Sequence, residues 1–305
     1  MRGTPLSVWH SEIKPLGSHL PDPLNVLREM KMFHKFKAAA LFSAIALFGA
    51  IVTSTIPASA QDAEATPTVL ITGANRGLGL EFAKQYAEDG WNVIATARKP
   101  EKAEDLQALA AENDKITVEQ LDVTDHEMID ALAEKYKEQP IDVLLNNAGI
   151  SGTPKPGMIF GKLDYDMLND YISVNVAGPV KMSEAFTPHV KASNQKKIAV
   201  LSSKAGSFAE DGGGAFPGVL WYQTSKSALN MAMTRVAKAV KRDGISVVML
   251  SPGLVDTQGG QLTQMGMPGL TPIQESIGGM RTIIDDMTVD TTGQFITYTG
   301  DQVGF

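Results

Sequence analysis

The sequence predicts an α/β fold, a doubly wound parallel sheet of about seven strands in a single domain. Three observations carry this expectation. Short apolar runs alternate with amphipathic helical patterns along most of the chain. The first run passes through Thr72-Gly73-Ala74-Asn75-Arg76-Gly77-Leu78-Gly79, a glycine-rich turn that opens a helix. Polar residues then recur at the carboxyl ends of the later runs, the edge at which such sheets bind ligands.

The elements follow in order. Val69–Thr72 reads as strand one. Leu78, Phe82 and Tyr86 recur at four-residue spacing on the next helix, and Gly90 lies just past its end. Val93–Ala97 is strand two, Pro100–Asn113 a charged amphipathic helix, and Ile116–Leu121 strand three. Asp125 caps a helix reaching Lys137, with Met128, Ile129, Leu132 and Tyr136 on one face. Ile141–Leu145 is a continuous apolar run of the kind buried in a parallel sheet. A Gly/Pro loop, Gly152–Gly161, leads into a long helical pattern from Asp164 to Ala192, with a break expected near Gly178-Pro179. Ile198–Ser202 is strand five. A glycine-rich excursion precedes the helix Trp221–Lys241, and Ile245–Leu250 is strand six. Thr271-Pro272-Ile273-Gln274 predicts a capping box on a helix to Asp286, and Gln294–Tyr298 is the last strand.

This pattern occupies residues 68–305. Ahead of it, residues 30–60 read as a secretory signal: Lys31, Lys35 and Lys37, then the apolar Ala38–Val52, then Ala58-Ser59-Ala60 before Gln61. That apolar run is short for a membrane span, so no stable span is expected after cleavage at Ala60. Residues 61–67 form a linker. Residues 1–29 read as a disordered leader or an over-extended start, with Met30 and Met32 as alternative initiators. The expectation is export, to a bacterial periplasm; without a working signal the protein would be cytoplasmic.

Composition narrows the function further. The first 60 residues hold six of the 27 Lys/Arg and three of the 34 Asp/Glu, leaving 21 and 31 and a formal charge of −10. An acidic domain without basic blocks is not a nucleic-acid binder. There is no cysteine, which removes disulfides, thiolate catalysis and thiolate-bound metals. His126 and His189 are far apart in sequence, and no catalytic metal is expected.

Glycines in a strand-to-helix turn let the backbone approach a pyrophosphate, and the helix N-terminus favours its charge. Alone, this string is also an ordinary turn. The other clusters are Asp122 after strand three, Asn146-Asn147-Ala148-Gly149 after strand four, Ser202-Ser203 after strand five, and Tyr222 with Lys226 on the next helix. Tyr and Lys at i and i+4 share a helix face, so the ammonium would lower the phenol pKa and make it a general acid/base. Such a pair is also a common exposed helix pair. Asp122 could cap the next helix, though Asp125 is better placed, and either serine could cap a turn.

The motifs T-G-A-N-R-G-L-G (72–79), N-N-A-G (146–149), S-S-K-A-G (202–206), Y-Q-T-S-K (222–226) and S-P-G (251–253) occur in order. With them the chain resembles the short-chain dehydrogenase/reductase family, a Rossmann-type fold, over about residues 67–305. S-K-S-A-L-N (225–230) and F-I-T-Y-T-G (295–300) look most like its sniffer, C-factor and carbonyl reductase subgroup. The resemblance implies an NAD(P)-dependent oxidoreductase acting on a small carbonyl or alcohol, and leaves homo-oligomerisation open. It implies Tyr222 as general acid/base, Lys226 on its pKa and the nicotinamide ribose, Ser203 on the substrate oxygen, and Asn175 on a relay water. Ser203 is preferred to Ser202 because its spacing to Gly206 fits the family. Gly73, Gly77 and Gly79 would approach the pyrophosphate, and Asn75, Arg76 and Leu78 of the same turn would also contact the cofactor. Asp122 and Val123 would meet adenine, and Asn147, Ala148 and Gly149 the adenosine side. Pro252, Gly253, Val255 and Thr257 would position the nicotinamide.

An acid at the end of strand two would favour NAD(H). Here that position reads Ala97-Arg98-Lys99, with Arg76 as a second cation in the glycine turn. Two arginines suit a 2′-phosphate, so NADP(H) is favoured over NAD(H). An exported nucleotide-binding sensor that keeps the fold is the alternative reading. The segment 208–218 is expected to wall the substrate site.

Overall fold

A computed structural model describes residues 66–209, 219–257 and 260–305. The expected leader and signal, most of the linker, and nearly all of the glycine-rich segment 208–218 lie outside the described residues. Among the described residues no helix is long and apolar enough to cross a membrane.

Seven parallel strands form one sheet: β1 (Thr68–Ile71), β2 (Asn92–Ala97), β3 (Ile116–Gln120), β4 (Val143–Asn146), β5 (Lys197–Leu201), β6 (Ser246–Ser251) and β7 (Gln294–Thr297). Their order is β3-β2-β1-β4-β5-β6-β7. The chain runs outward from β1 to β3, returns to pair β4 with β1, and runs outward again to β7. The reversal between β1 and β4 opens a crevice at their carboxyl ends.

The helices are α1 (Gly77–Glu88), α2 (Glu104–Glu112), α3 (His126–Lys135), α4 (Tyr165–Ile172), α5 (Gly178–Ala192), α6 (Leu220–Val240), the short α7 (Gln261–Gln264) and α8 (Ile273–Asp286). The strand pleat sorts them onto two faces. Val69 and Ile71 of β1 pack into one core with Phe82 and Tyr86 of α1, Leu106 of α2, and Ile277 and Met280 of α8. Leu70 points the other way, to Ile129 of α3, Met182 and Phe186 of α5, and Leu229 and Met233 of α6. All four residues of β1 are buried, which is why the run is uninterrupted rather than alternating. A third, smaller cluster of Met158, Tyr171, Val219 and Trp221 ties the loop after β4 to α4 and the start of α6.

Three local expectations are corrected. The helix expected over 100–113 is a 3₁₀ turn, Pro100–Lys102, followed by α2; the hinge is Ala103 at φ −94°, ψ 62°. Gly178-Pro179 does not break the long helix. Ser173–Ala177 forms a π turn between α4 and α5, closed by the Gly178 N–H on the Ser173 carbonyl. The wider turn absorbs the extra residue, and Pro179 falls in the first turn of α5, where a missing N–H costs least. The capping box at Thr271 does not form: Pro272 occupies the N-cap position without a side-chain bond, and the Thr271 N–H donates to the Leu254 carbonyl at 2.8 Å.

Candidate active site

The expected site residues cluster largely at the carboxyl edge of β1, β4, β5 and β6. The glycine loop is wired to β4 through Thr72 and Asn147. Thr72 Oγ1 accepts from the backbone N–H groups of Asn147 and Ala148, both at 3.0 Å. Asn147 Nδ2 donates back to the carbonyls of Thr72 (2.8 Å) and Gly73 (3.0 Å). The Asn147 amide group expected on the adenosine side is thus committed to shaping the loop. Gly73 has φ +67°, and a Cβ there would stand 2.9 Å from Ala148 Cα. Gly77 has φ +55°, and a Cβ there would stand 2.9 Å from Thr257 Cβ, so the loop and the segment after β6 close on each other. A Cβ on Gly79 would overlap the Gly73 carbonyl and stand 2.5 Å from Asn147 Nδ2. Asn75 is half-buried, Arg76 is exposed at the N-cap of α1, and Leu78 packs against the first core.

Arg98 is exposed at the end of β2 and lines a shallow cleft of about 680 Å³ with Gln120, Asp122, Thr124, Asp125 and His126. Asp122 Oδ1 accepts from the Thr124 N–H (3.0 Å) and hydroxyl (2.8 Å), holding its own turn, and Asp125 caps α3 as expected. Val123 is buried against Gly178, where an added Cβ would stand 3.0 Å from the Val123 carbonyl oxygen. After β6, the Pro252 carbonyl accepts from Ser276 at 2.6 Å. Gly253 turns at φ +78° beside the Tyr298 ring, and Val255 and Thr257 are half-buried.

Asn175, Ser203, Tyr222 and Lys226 form a linked set. The π turn holds Asn175, which is 1% exposed. Its Oδ1 accepts from the Ile150 N–H (2.7 Å), and its Nδ2 donates to the Ile150 carbonyl (3.1 Å) and to Ser225 Oγ (3.0 Å). Ser225 in turn donates to the Tyr222 carbonyl at 2.8 Å. The Ser203 hydroxyl lies beside the Tyr222 phenol and accepts from the Ala205 N–H at 3.2 Å. Ser202 faces inward, donating to Asn230 Oδ1 at 2.5 Å. Lys226 is buried, donates from Nζ to the Leu201 carbonyl at 2.8 Å, and sits 5.8 Å from the Tyr222 ring centroid. A Cβ on Gly149 would lie 3.2 Å from Asn175 Oδ1 and 3.8 Å from Lys226 Nζ, so the N-N-A-G turn borders the same set.

The electrostatics differ from the sequence expectation. Burial pushes the Tyr222 phenol up, and the Ser203 hydroxyl beside it pulls the other way. Lys226 is itself held down to about 8 by burial. Desolvation of both groups outweighs the pull expected from the lysine.

Residues 67–265 match the family model for the short chain dehydrogenases. The chain belongs to that family. This short chain dehydrogenase is 33% identical over 235 residues to 1-hydroxy-2-glutathionyl-2-methyl-3-butene dehydrogenase of Rhodococcus sp. (strain AD45), a match covering 75% of this chain and 95% of that protein. It is similar in structure to the NADPH-bound carbonyl reductase from chicken fatty liver, with a TM-score of 0.68 and 29% identity over 79% of this chain and 99% of the other. The carbonyl reductase Sniffer of D. melanogaster gives a TM-score of 0.69 and 28% identity, over 79% of this chain and 100% of the other. Membership makes the dehydrogenase an oxidoreductase that uses a nicotinamide cofactor on small-molecule substrates.

The residues present fit such a cofactor. A Cβ at Gly73 or Gly77 would fill the cradle over the α1 N-terminus, and a side chain at Gly79 would dislodge Asn147. Thr72, Ser225 and Tyr171 also shape the site and were not singled out from sequence. Thr72 opens the glycine motif and Ser225 lies inside Y-Q-T-S-K, but their roles depend on contacts across 75 and 50 residues.

Proposed function

We propose that this dehydrogenase interconverts a carbonyl and an alcohol with NADP(H), using Tyr222 as the general acid/base. The observation that carries the reading is the linked set of Ser203, Tyr222, Lys226 and Asn175 beside the glycine cradle. A nicotinamide cofactor whose pyrophosphate is held at that cradle would supply the hydride. The Tyr222 hydroxyl, high in pKa, is protonated at neutral pH and available to donate to a developing alkoxide. The Ser203 hydroxyl, on the same phenol, orients the substrate oxygen against it. Lys226, one helical turn on, offers an ammonium to the ribose hydroxyls and to the proton path. Asn175 holds the Ile150 backbone in place and fixes the site's shape. Arg76 and Arg98, both exposed at the cofactor edge, suit a 2′-phosphate, and a carbonyl reductase of similar structure binds NADPH.

The test is NADPH oxidation with a panel of aldehydes and ketones. Wild type turns over; Tyr222→Phe loses at least about 100-fold in kcat while NADPH still quenches protein fluorescence with similar affinity. Cofactor binding without turnover on any carbonyl would instead fit the nucleotide-binding sensor. Arg98→Ala is expected to weaken NADPH about tenfold and leave NADH unchanged; equal losses for both would count against the 2′-phosphate reading. We also propose that the chain is exported and cut after Ala60. Mass spectrometry of the purified protein should then find Gln61 at the N-terminus, and soluble protein that retains Met30 would refute it.

A further inference from the structure

General acid/base work requires the Tyr222 phenol to stay on one point of the substrate, yet Ser203 and Lys226 touch only its polar end or lie beyond the ring. The ring itself rests on backbone. A Cβ on Gly152 would stand 2.6 Å from Tyr222 Cε1 and 3.0 Å from Cγ, so the peptide at 152 lies directly against the ring. This peptide belongs to a stretch gripped by two side chains of one helical run. Asn175 clasps Ile150 through both of its amide groups. Tyr171, four residues earlier, donates its hydroxyl to the Ser151 carbonyl at 2.9 Å and is 1% exposed. The Tyr171 ring also meets the Tyr222 ring edge-on, at 6.4 Å between centroids and 70° between planes. Burial first, and Tyr222 second, push the Tyr171 phenol up to about 12, so it remains a proton donor to Ser151 at any working pH.

We propose that Tyr171 is a positioning residue for Tyr222, acting through the Ser151 carbonyl and the Gly152 backbone that braces the ring. It meets the Tyr222 ring with its own ring and pins the strap that the same ring rests on. The proposal rests on Tyr222 being the general acid/base, and its test separates the two.

Tyr171→Phe and Gly152→Ala are made in the full chain. Wild type and variants are labelled with ¹³Cζ-tyrosine, which gives one resonance for each of the six tyrosines of the wild-type chain, and Tyr222→Phe assigns the one of interest. Both variants are expected to shift the Tyr222 resonance at pH 7. They should lower kcat about tenfold for Tyr171→Phe and up to about 100-fold for Gly152→Ala, since a displacement of about 1 Å is enough for that. KM and NADPH affinity stay within about twofold. An unmoved Tyr222 resonance, or an unchanged kcat in Tyr171→Phe, overturns the proposal; so does a loss of kcat matched by equal loss of NADPH binding, which marks a merely structural role. Gly152→Ala risks misfolding, and Tyr171→Phe, which keeps the ring, decides without it. If wild type reduces no carbonyl, the proposed function fails, and the Tyr222 resonance alone decides the positioning.

Discussion

Lys226 shows what spacing reveals and what it hides. Four residues from Tyr222 on one helix, it was legible as a partner of the phenol. Its depth was not, because burial here comes from β5 and the turn after it. Gly206 in that turn lies so close to α6 that a Cβ would stand 2.6 Å from the Lys226 carbonyl carbon. A lysine held down to about 8 in the fold titrates near 10.4 when unfolded. Below pH 8 both states carry the proton, and the cost of burying the charge is fully present. Between pH 8 and 10.4 the unfolded state binds more protons, so stability from this group rises with pH, by about 3 kcal/mol in all. Lys226→Met removes the group at similar volume. Urea midpoints should therefore show wild type gaining on the variant from pH 7 to pH 10. A flat or falling difference would mean that the amine is not desolvated as the fold implies.

At the scale of elements, strands were the most legible, because a buried parallel strand is a short apolar run and nothing else in this chain looks like one. Helix interiors were less so, since a glycine there has two meanings that sequence does not separate. Gly278 and Gly279 are adjacent in α8. A Cβ on Gly279 would run into the Tyr298 carbonyl that follows β7, whereas Gly278 faces open space. One glycine lets the helix approach the sheet end and the other only adds chain entropy to the unfolded state. Gly278→Ala should raise stability by about 0.5–1 kcal/mol. Gly279→Ala should lower it by about 1–3 kcal/mol, through overpacking. Thermal melts of the two variants, moving in opposite directions, are the measurement; a loss in both would mean that α8 does not sit on the sheet as described. The π turn was illegible for the same reason. Gly178, which closes the turn, packs against Val123, 55 positions away in sequence.

For the whole molecule, the central place of β1 bears on where the folded domain starts. β1 is central in the sheet, so residues just before it are part of the fold rather than linker. The Pro67 carbonyl accepts from the Asn92 N–H at 2.9 Å. The Thr68 N–H donates to Asp142 Oδ2 at 2.9 Å, and the Thr68 carbonyl accepts from the Asp142 N–H at 2.9 Å. Asp142 is 8% exposed and also takes the Gln195 N–H at 3.2 Å, which joins β4 to the start of β5. Sequence placed the linker through residue 67 because Thr66-Pro67 has no apolar pattern; its carbonyls accept from the backbone and side chain of Asn92, and hydropathy does not register such bonds. A chain starting at Gln61, the expected product of cleavage, keeps every one of these bonds. A chain starting at Val69 loses them and leaves a buried carboxylate short of a donor, at a cost of about 2–5 kcal/mol. The Gln61 form should therefore melt cooperatively, and the Val69 form well below it or already unfolded at 25 °C. Equal midpoints would show that the Pro67 and Thr68 bonds contribute nothing, and that Val69, Leu70 and Ile71 hold the central strand without them.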